Sequence, residues 1–183
     1  MSTILEELRN YRTILEASGR VYFEGVLCTL DQPSDKPLSG SKKHRVLLPT
    51  YVAEKAIQSL VGAPLNATPY WDGHAEGWKT QTAITIGLIT KGFIEENQIK
   101  VRGYLSTAES HTIVDRIKEI ENSNPLGMSF EMLGARVENI NSNIWTLNRA
   151  KFSGVSILRR DKAAYTTSSF QLLDKTSQNN NYR

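Results

Sequence analysis

The stretch Leu126-Gly127-Met128-Ser129-Phe130-Glu131 alternates apolar and polar side chains, the period-two pattern of a strand with one face in a core. Met128 and Phe130 then point inward, Ser129 and Glu131 share the other face, and Gly127 admits close approach of a substrate backbone. Downstream, residues 135–140, 144–148 and 152–158 read as further short strands. Upstream, residues 82–90 and 98–105 alternate around Ile84, Ile86, Leu88, Ile99 and Val101, and the connection 91–97 makes them a hairpin. Residues 20–30 read as one more strand, with Gly25 marking a bulge. That makes seven strands.

Three helices accompany them. Ile4, Leu5, Leu8, Tyr11 and Leu15 form one stripe over residues 2–17. Pro49 and Gly62 bracket a second helix whose apolar face is Val52, Ala53, Ala56, Ile57 and Leu60. Ser106 and Glu109 form a capping box ahead of Ile113, Val114, Ile117 and Ile120. The loop 31–43, rich in Pro and Ser, is expected to be mobile and open to self-cleavage. The fold class expected is α+β, mainly β: a barrel or rolled sheet of about seven strands with helices packed outside.

The chain has 183 residues and a formal net charge of +3, with 39% hydrophobic and 22% charged residues. This is the composition of one globular domain, too rich in apolar residues for a disordered chain. No apolar run reaches membrane-spanning length, and Glu6 and Glu7 stand where a signal peptide needs cations. A soluble, cytosolic protein without membrane association is expected. The single cysteine, Cys28, reads as a small buried apolar group. A basic excess gathers at Arg149, Lys151, Arg159, Arg160, Lys162 and Lys175, with no interleaved aromatics, so no specific nucleic-acid partner is expected.

Several chemistries can be tested against the residues. No glycine-rich phosphate loop occurs. Asp72, His74 and Glu76 alternate, so an extended segment would set them on one face as a conceivable ligand group, but no fourth ligand follows from spacing. No metal and no cofactor are expected. Nucleophilic catalysis by serine remains, with Ser129 on the polar face of its strand awaiting a base, usually histidine. Taken alone, a serine on the polar face of an amphipathic strand is usually structural.

The chain resembles the prohead (capsid maturation) proteases of tailed phages. The resemblance rests on Val61-Gly62-Ala63-Pro64-Leu65 followed by Asp72-Gly73-His74, then Ile86-Gly87-Leu88-Ile89 and Ile99-Lys100-Val101-Arg102-Gly103-Tyr104-Leu105. It continues through the serine strand and Phe152-Ser153-Gly154-Val155-Ser156-Ile157-Leu158. It covers roughly residues 19–169. The resemblance implies the barrel fold of herpesvirus assembly proteases and a serine endopeptidase in which Ser129 is the nucleophile and His74 the general base. It further implies the major capsid protein and scaffold as substrates, the enzyme itself as another, and work in the host cytoplasm inside the immature prohead. A homo-oligomer is an open expectation.

The sequence departs from the family at the third triad member. Gly154 occupies the position where related phage enzymes carry an acidic residue, leaving Glu131, Glu76 and Asp72 as candidates. Arg159 and Arg160 resemble a pair that supports the oxyanion loop in herpesvirus enzymes. Gly154 also admits an alternative, a catalytically inactive capsid-assembly or scaffolding module of the same fold. The expected organisation is an N-terminal helix or pro-segment over 1–18, a protease domain over 19–176 and a disordered tail over 177–183.

Overall fold

Eight strands and two short helices account for most of the described backbone. The computed structural model describes residues 20–68, 84–106 and 110–173; the expected helix over 2–17, the segment with His74, and the tail lie outside them. The strands are β1 (Tyr22–Thr29), β2 (Arg45–Leu47), β3 (Pro64–Ala67), β4 (Ile84–Glu95), β5 (Gln98–Leu105), β6 (Leu126–Val137), β7 (Ile144–Arg159) and β8 (Ser169–Leu173). Helix α1 (Thr50–Ala56) runs into a 3-10 turn at Ile57–Leu60, and α2 spans Ser110–Glu121. One curled sheet results, in the order β2-β7-β3-β4-β5-β1-β8 with β6 alongside β7. The architecture is α+β and mainly β, as the alternation predicts.

The curl follows from what the inner face must bury. Leu65, Ile89, Val101, Met128, Phe130, Val155 and Ile157 all belong to one core. Phe130 meets Phe152 edge-on at 5.5 Å, and Phe23 lies against Phe170 at 5.3 Å. Each such side chain contributes about 1.5–3 kcal/mol when fully buried. The crossing of β6 over β1 needs Gly25: a Cβ there would fall 2.1 Å from Met128 Sδ and 2.6 Å from Ser169 O. The bulge expected at Gly25 lies instead between Val26 and Cys28.

Two long strands replace the four short ones expected after residue 126. Strands β6 and β7 pair antiparallel along almost their whole length, broken by three irregularities. At the first, Glu131 pairs with Gly154 and Met132 with Phe152, leaving Ser153 as the extra residue. The freed Phe152 N–H donates to Ser59 Oγ at 2.8 Å, so the 3-10 turn after α1 completes the bonding of β7. Strand β3 joins β7 on its other side in parallel, with Asn66 beside Ser156.

The loop 31–43 is tied down rather than loose. Ser34 is fully buried; its N–H donates to Val46 O at 2.8 Å and its Oγ accepts from Val46 N–H at 3.0 Å. The Asp35 and Lys36 N–H groups both donate to Ala164 O. Asp35 Oδ2 accepts from Thr166 N–H and Oγ1 at 2.8 and 2.9 Å, and Lys36 Nζ donates to Asp161 O. These bonds satisfy backbone groups that an exposed loop would leave to water. No helix among the described residues is long and apolar enough to cross a membrane.

Candidate active site

Ser129 sits in the fourth position of β6, only 4% exposed, between the inward Met128 and Phe130. Its antiparallel partner is Ser156 of β7, so the two hydroxyl side chains share the outer face. The row continues across the sheet: Ser156 stands beside Asn66 of β3, and Asn66 opposite Thr85 of β4. Four polar side chains on four adjacent strands cross a face that elsewhere in these strands carries Leu158 and Leu88. Thr85 Oγ1 donates to Asn66 Oδ1 at 2.8 Å, which fixes the amide and turns Nδ2 the other way. The Ser156 hydroxyl is wholly buried and has no hydrogen-bond partner among the described residues.

Along β6, Ser129 is flanked on its own face by Gly127 and Glu131. Gly127 serves the chain itself rather than a substrate. A Cβ there would fall 2.6 Å from Ser168 Oγ and 3.2 Å from Arg160 Cα, so the 3-10 turn Arg160–Lys162 rests directly on the strand. Ser168 Oγ also accepts from the Met128 N–H at 3.3 Å. Glu131 pairs with Gly154. A Cβ on Gly154 would lie 2.9 Å from Glu131 Oε2 and 3.6 Å from Asn66 Nδ2. The carboxylate therefore leans from β6 over β7 into the room that a residue-154 side chain would need.

The two arginines are placed differently. Arg159 is ion-paired with Asp161, Nε to Oδ1 at 3.3 Å, and Nη2 reaches Oδ2 at 3.4 Å. Asp161 is well exposed and Arg159 half-buried, and a pair so open to solvent on one side adds little stability. Arg160 instead braces the start of the serine strand. Its N–H donates to Pro125 O at 2.8 Å and its Nη2 to Leu126 O at 3.5 Å. Of the residues singled out in the sequence, the structure thus brings together Ser129, Glu131 and Gly154 on the β6–β7 pair, with Arg160 at the start of the same strand.

Asp72, His74 and Glu76 lie outside the described residues. Before them, β3 ends beside β4, with Ala67 opposite Ile84, and Thr68 follows. Asn66 and Ser156 missed detection in the sequence, because β3 is only four residues long and Asn66 carries no motif. Cys28 is fully buried, and burial pushes its thiol up to about 12. A thiol so placed is no nucleophile near neutral pH.

No family model matches the chain, and no curated protein matches it. Among solved structures it is similar to the bacteriophage T4 capsid assembly protease, gp21, at 15% sequence identity and a TM-score of 0.43, over 77% of this chain and 98% of that one.

Proposed function

We propose that the chain is a serine endopeptidase of prohead maturation, with Ser129 as nucleophile and His74 as general base. The observation that carries the reading is the position of Ser129. It stands on the outer face of a core strand, in a polar row, beside a carboxylate that the opposite strand makes room for. The sequence resemblance supplies the histidine and the substrate class. Chain length permits the pairing. Ser129 lies two strand spacings from Asn66, about 10 Å, and His74 follows Thr68 by six positions, a tether of up to about 20 Å.

In this mechanism His74 removes the Ser129 proton, the alkoxide attacks the scissile carbonyl, and His74 returns the proton to the leaving amine. Glu131 is the third member, accepting from the imidazole and holding it in the productive tautomer; Asp72 and Glu76 are the other candidates. Arg160 fixes the strand start and lies nearest for oxyanion support, with Arg159 beyond it. The substrates are scaffold and capsid-protein extensions and the enzyme itself, met inside the immature shell. The alternative is an inactive assembly module, favoured by Gly154 alone; a carboxylate in the place of its missing side chain weakens that case.

The deciding experiment compares wild-type and Ser129→Ala protein, each incubated with the capsid and scaffold proteins of the same phage, with products weighed by mass spectrometry. Wild type should yield defined fragments and the variant none. Identical products from both would remove Ser129 as nucleophile, and no products from either would favour the inactive module.

A further inference from the structure

Beyond Glu131 and Gly154 the β6–β7 ribbon continues on the same face with a different chemistry. Leu133 pairs with Lys151 and Arg136 with Arg149. The irregularities preserve the face: Ser153 is the extra residue on β7, and Gly134, at φ +60°, is one of two β6 residues that stand against Ala150 alone between Leu133 and Arg136. Ser129, Glu131, Leu133 and Arg136 therefore follow one another along one side of the ribbon, as do Ser156, Gly154, Lys151 and Arg149 along the other strand. All four of Leu133, Arg136, Arg149 and Lys151 are exposed, Leu133 at 63%.

Two arginines directly opposite each other on a solvent-facing ribbon repel and cost the fold stability. An anionic ligand would relieve that repulsion. From the proposed nucleophile's standpoint, we infer that this face is a substrate-docking track for an extended acidic peptide. The inference rests on the protease reading, and deepens it by naming the substrate chemistry. At about 3.3 Å per residue, the Leu133–Lys151 pair lies about 13 Å from Ser129, and the arginine pair about one further residue pair beyond. A peptide running beside β6 with its scissile bond at Ser129 would set carboxylates about four and six residues away, with an apolar side chain against Leu133. Glu131 lies between the serine and the cations, so the track is cationic only at its far part.

A nucleic acid is the weaker occupant. Of the ribbon's aromatic residues, Phe130 and Phe152 are buried, and Trp145 is stacked on His44 at 4.4 Å between ring centroids while its Nε1 donates to Ile140 O at 3.2 Å. None is free to stack on bases, the main non-electrostatic source of single-strand affinity.

The test uses Ser129→Ala protein and three fluorescein-labelled probes: a peptide alternating Glu and Ala, the same peptide with Gln for Glu, and oligothymidylate. The Glu peptide should bind with a Kd at least about tenfold below that of the Gln peptide, and added salt should weaken it. Arg136→Gln/Arg149→Gln/Lys151→Gln, a set of exposed positions whose folding is checked by circular dichroism, should abolish the difference. Equal affinity for the two peptides, or tighter binding of oligothymidylate, would overturn the inference. Cleavage that depends on Ser129 without preference for the Glu peptide would overturn it while leaving the protease reading standing. Preference for the Glu peptide in a protein that never cleaves would keep the acidic-peptide surface and overturn the protease reading.

Discussion

Glu131 Oε2 lies 2.9 Å from the point where the side chain of residue 154 would begin. The two residues are partners across β6 and β7, so a carboxylate from one strand occupies the space vacated by the other. A residue that looks like a loss in the sequence is, in three dimensions, the clearance for its neighbour. Glu131→Ala should then lower kcat by about two to four orders of magnitude while leaving the fold intact. The double variant Glu131→Ala/Gly154→Asp should recover part of that loss. Steady-state kinetics on a cleaved capsid-derived peptide reads both, and an unchanged kcat in Glu131→Ala would exclude the carboxylate from the mechanism.

Gly154→Ala probes the same space from the other side. The methyl group meets the mobile end of a glutamate, which can swing aside, so stability should change by less than about 1 kcal/mol. The displaced carboxylate no longer serves the site, and kcat should fall. Urea melts beside kinetics would separate the two effects; a large loss of stability with normal kcat would contradict this account.

His74→Ala should match Ser129→Ala, each costing up to about six orders of magnitude in kcat, and the double variant should cost little more. Residues that act as one unit lose their joint contribution once. Additive losses in the double variant would mean that the two act separately.

Arg136→Glu should stabilise the fold by about 0.2–1 kcal/mol, because it turns a like-charge cross-strand pair into an opposite-charge pair. The same change should weaken the Glu–Ala peptide. A urea midpoint that does not rise would show that the arginines avoid each other in solution.

Acid should loosen the segment after β1. Side-chain and backbone donors of Thr50 hold the Asp31 carboxyl below its ordinary value, and the Thr166 N–H and hydroxyl do the same for Asp35. In each case the folded protein binds fewer protons than the unfolded chain. The stabilisation is therefore complete above the ordinary carboxylate range and disappears as pH falls through the folded values. Asp31→Asn/Asp35→Asn should flatten the decline of the urea midpoint between about pH 5 and pH 2. A decline as steep as wild type would assign acid sensitivity elsewhere.

Much of the fold was legible in the sequence where alternation is unbroken. Residues 126–131 declare both the strand and the face of Ser129, and Pro49 and Gly62 bracket α1 and its 3-10 turn as expected. The four short strands expected after residue 126 are two, because Ser153, Asn148 and the excess at Gly134 each interrupt the period without ending the pairing. Strand β4 runs on through Glu95, and the turn is only Glu96-Asn97, both left-handed, where composition suggested a seven-residue connection. Strands β2, β3 and β8 are too short to show a period. The closeness of Glu131 to Gly154 was hidden for the same reason: it depends on register, and register here is set by bulges that a single sequence does not reveal. The loop 31–43 reads as mobile by composition, yet Ser34 and Asp35 anchor it through bonds to residues far along the chain.

Strand β1 has two hydrogen-bonded neighbours, β5 and β8, and β8 ends at Leu173. Its first partner is synthesised some seventy residues later and its second nearly one hundred and fifty later. Such distant closure makes folding slow, and Phe23 cannot seat against Phe170 until β8 has been made. The core around Phe23 is therefore the last part of the sheet to close, after the strands of the β6–β7 ribbon have been made.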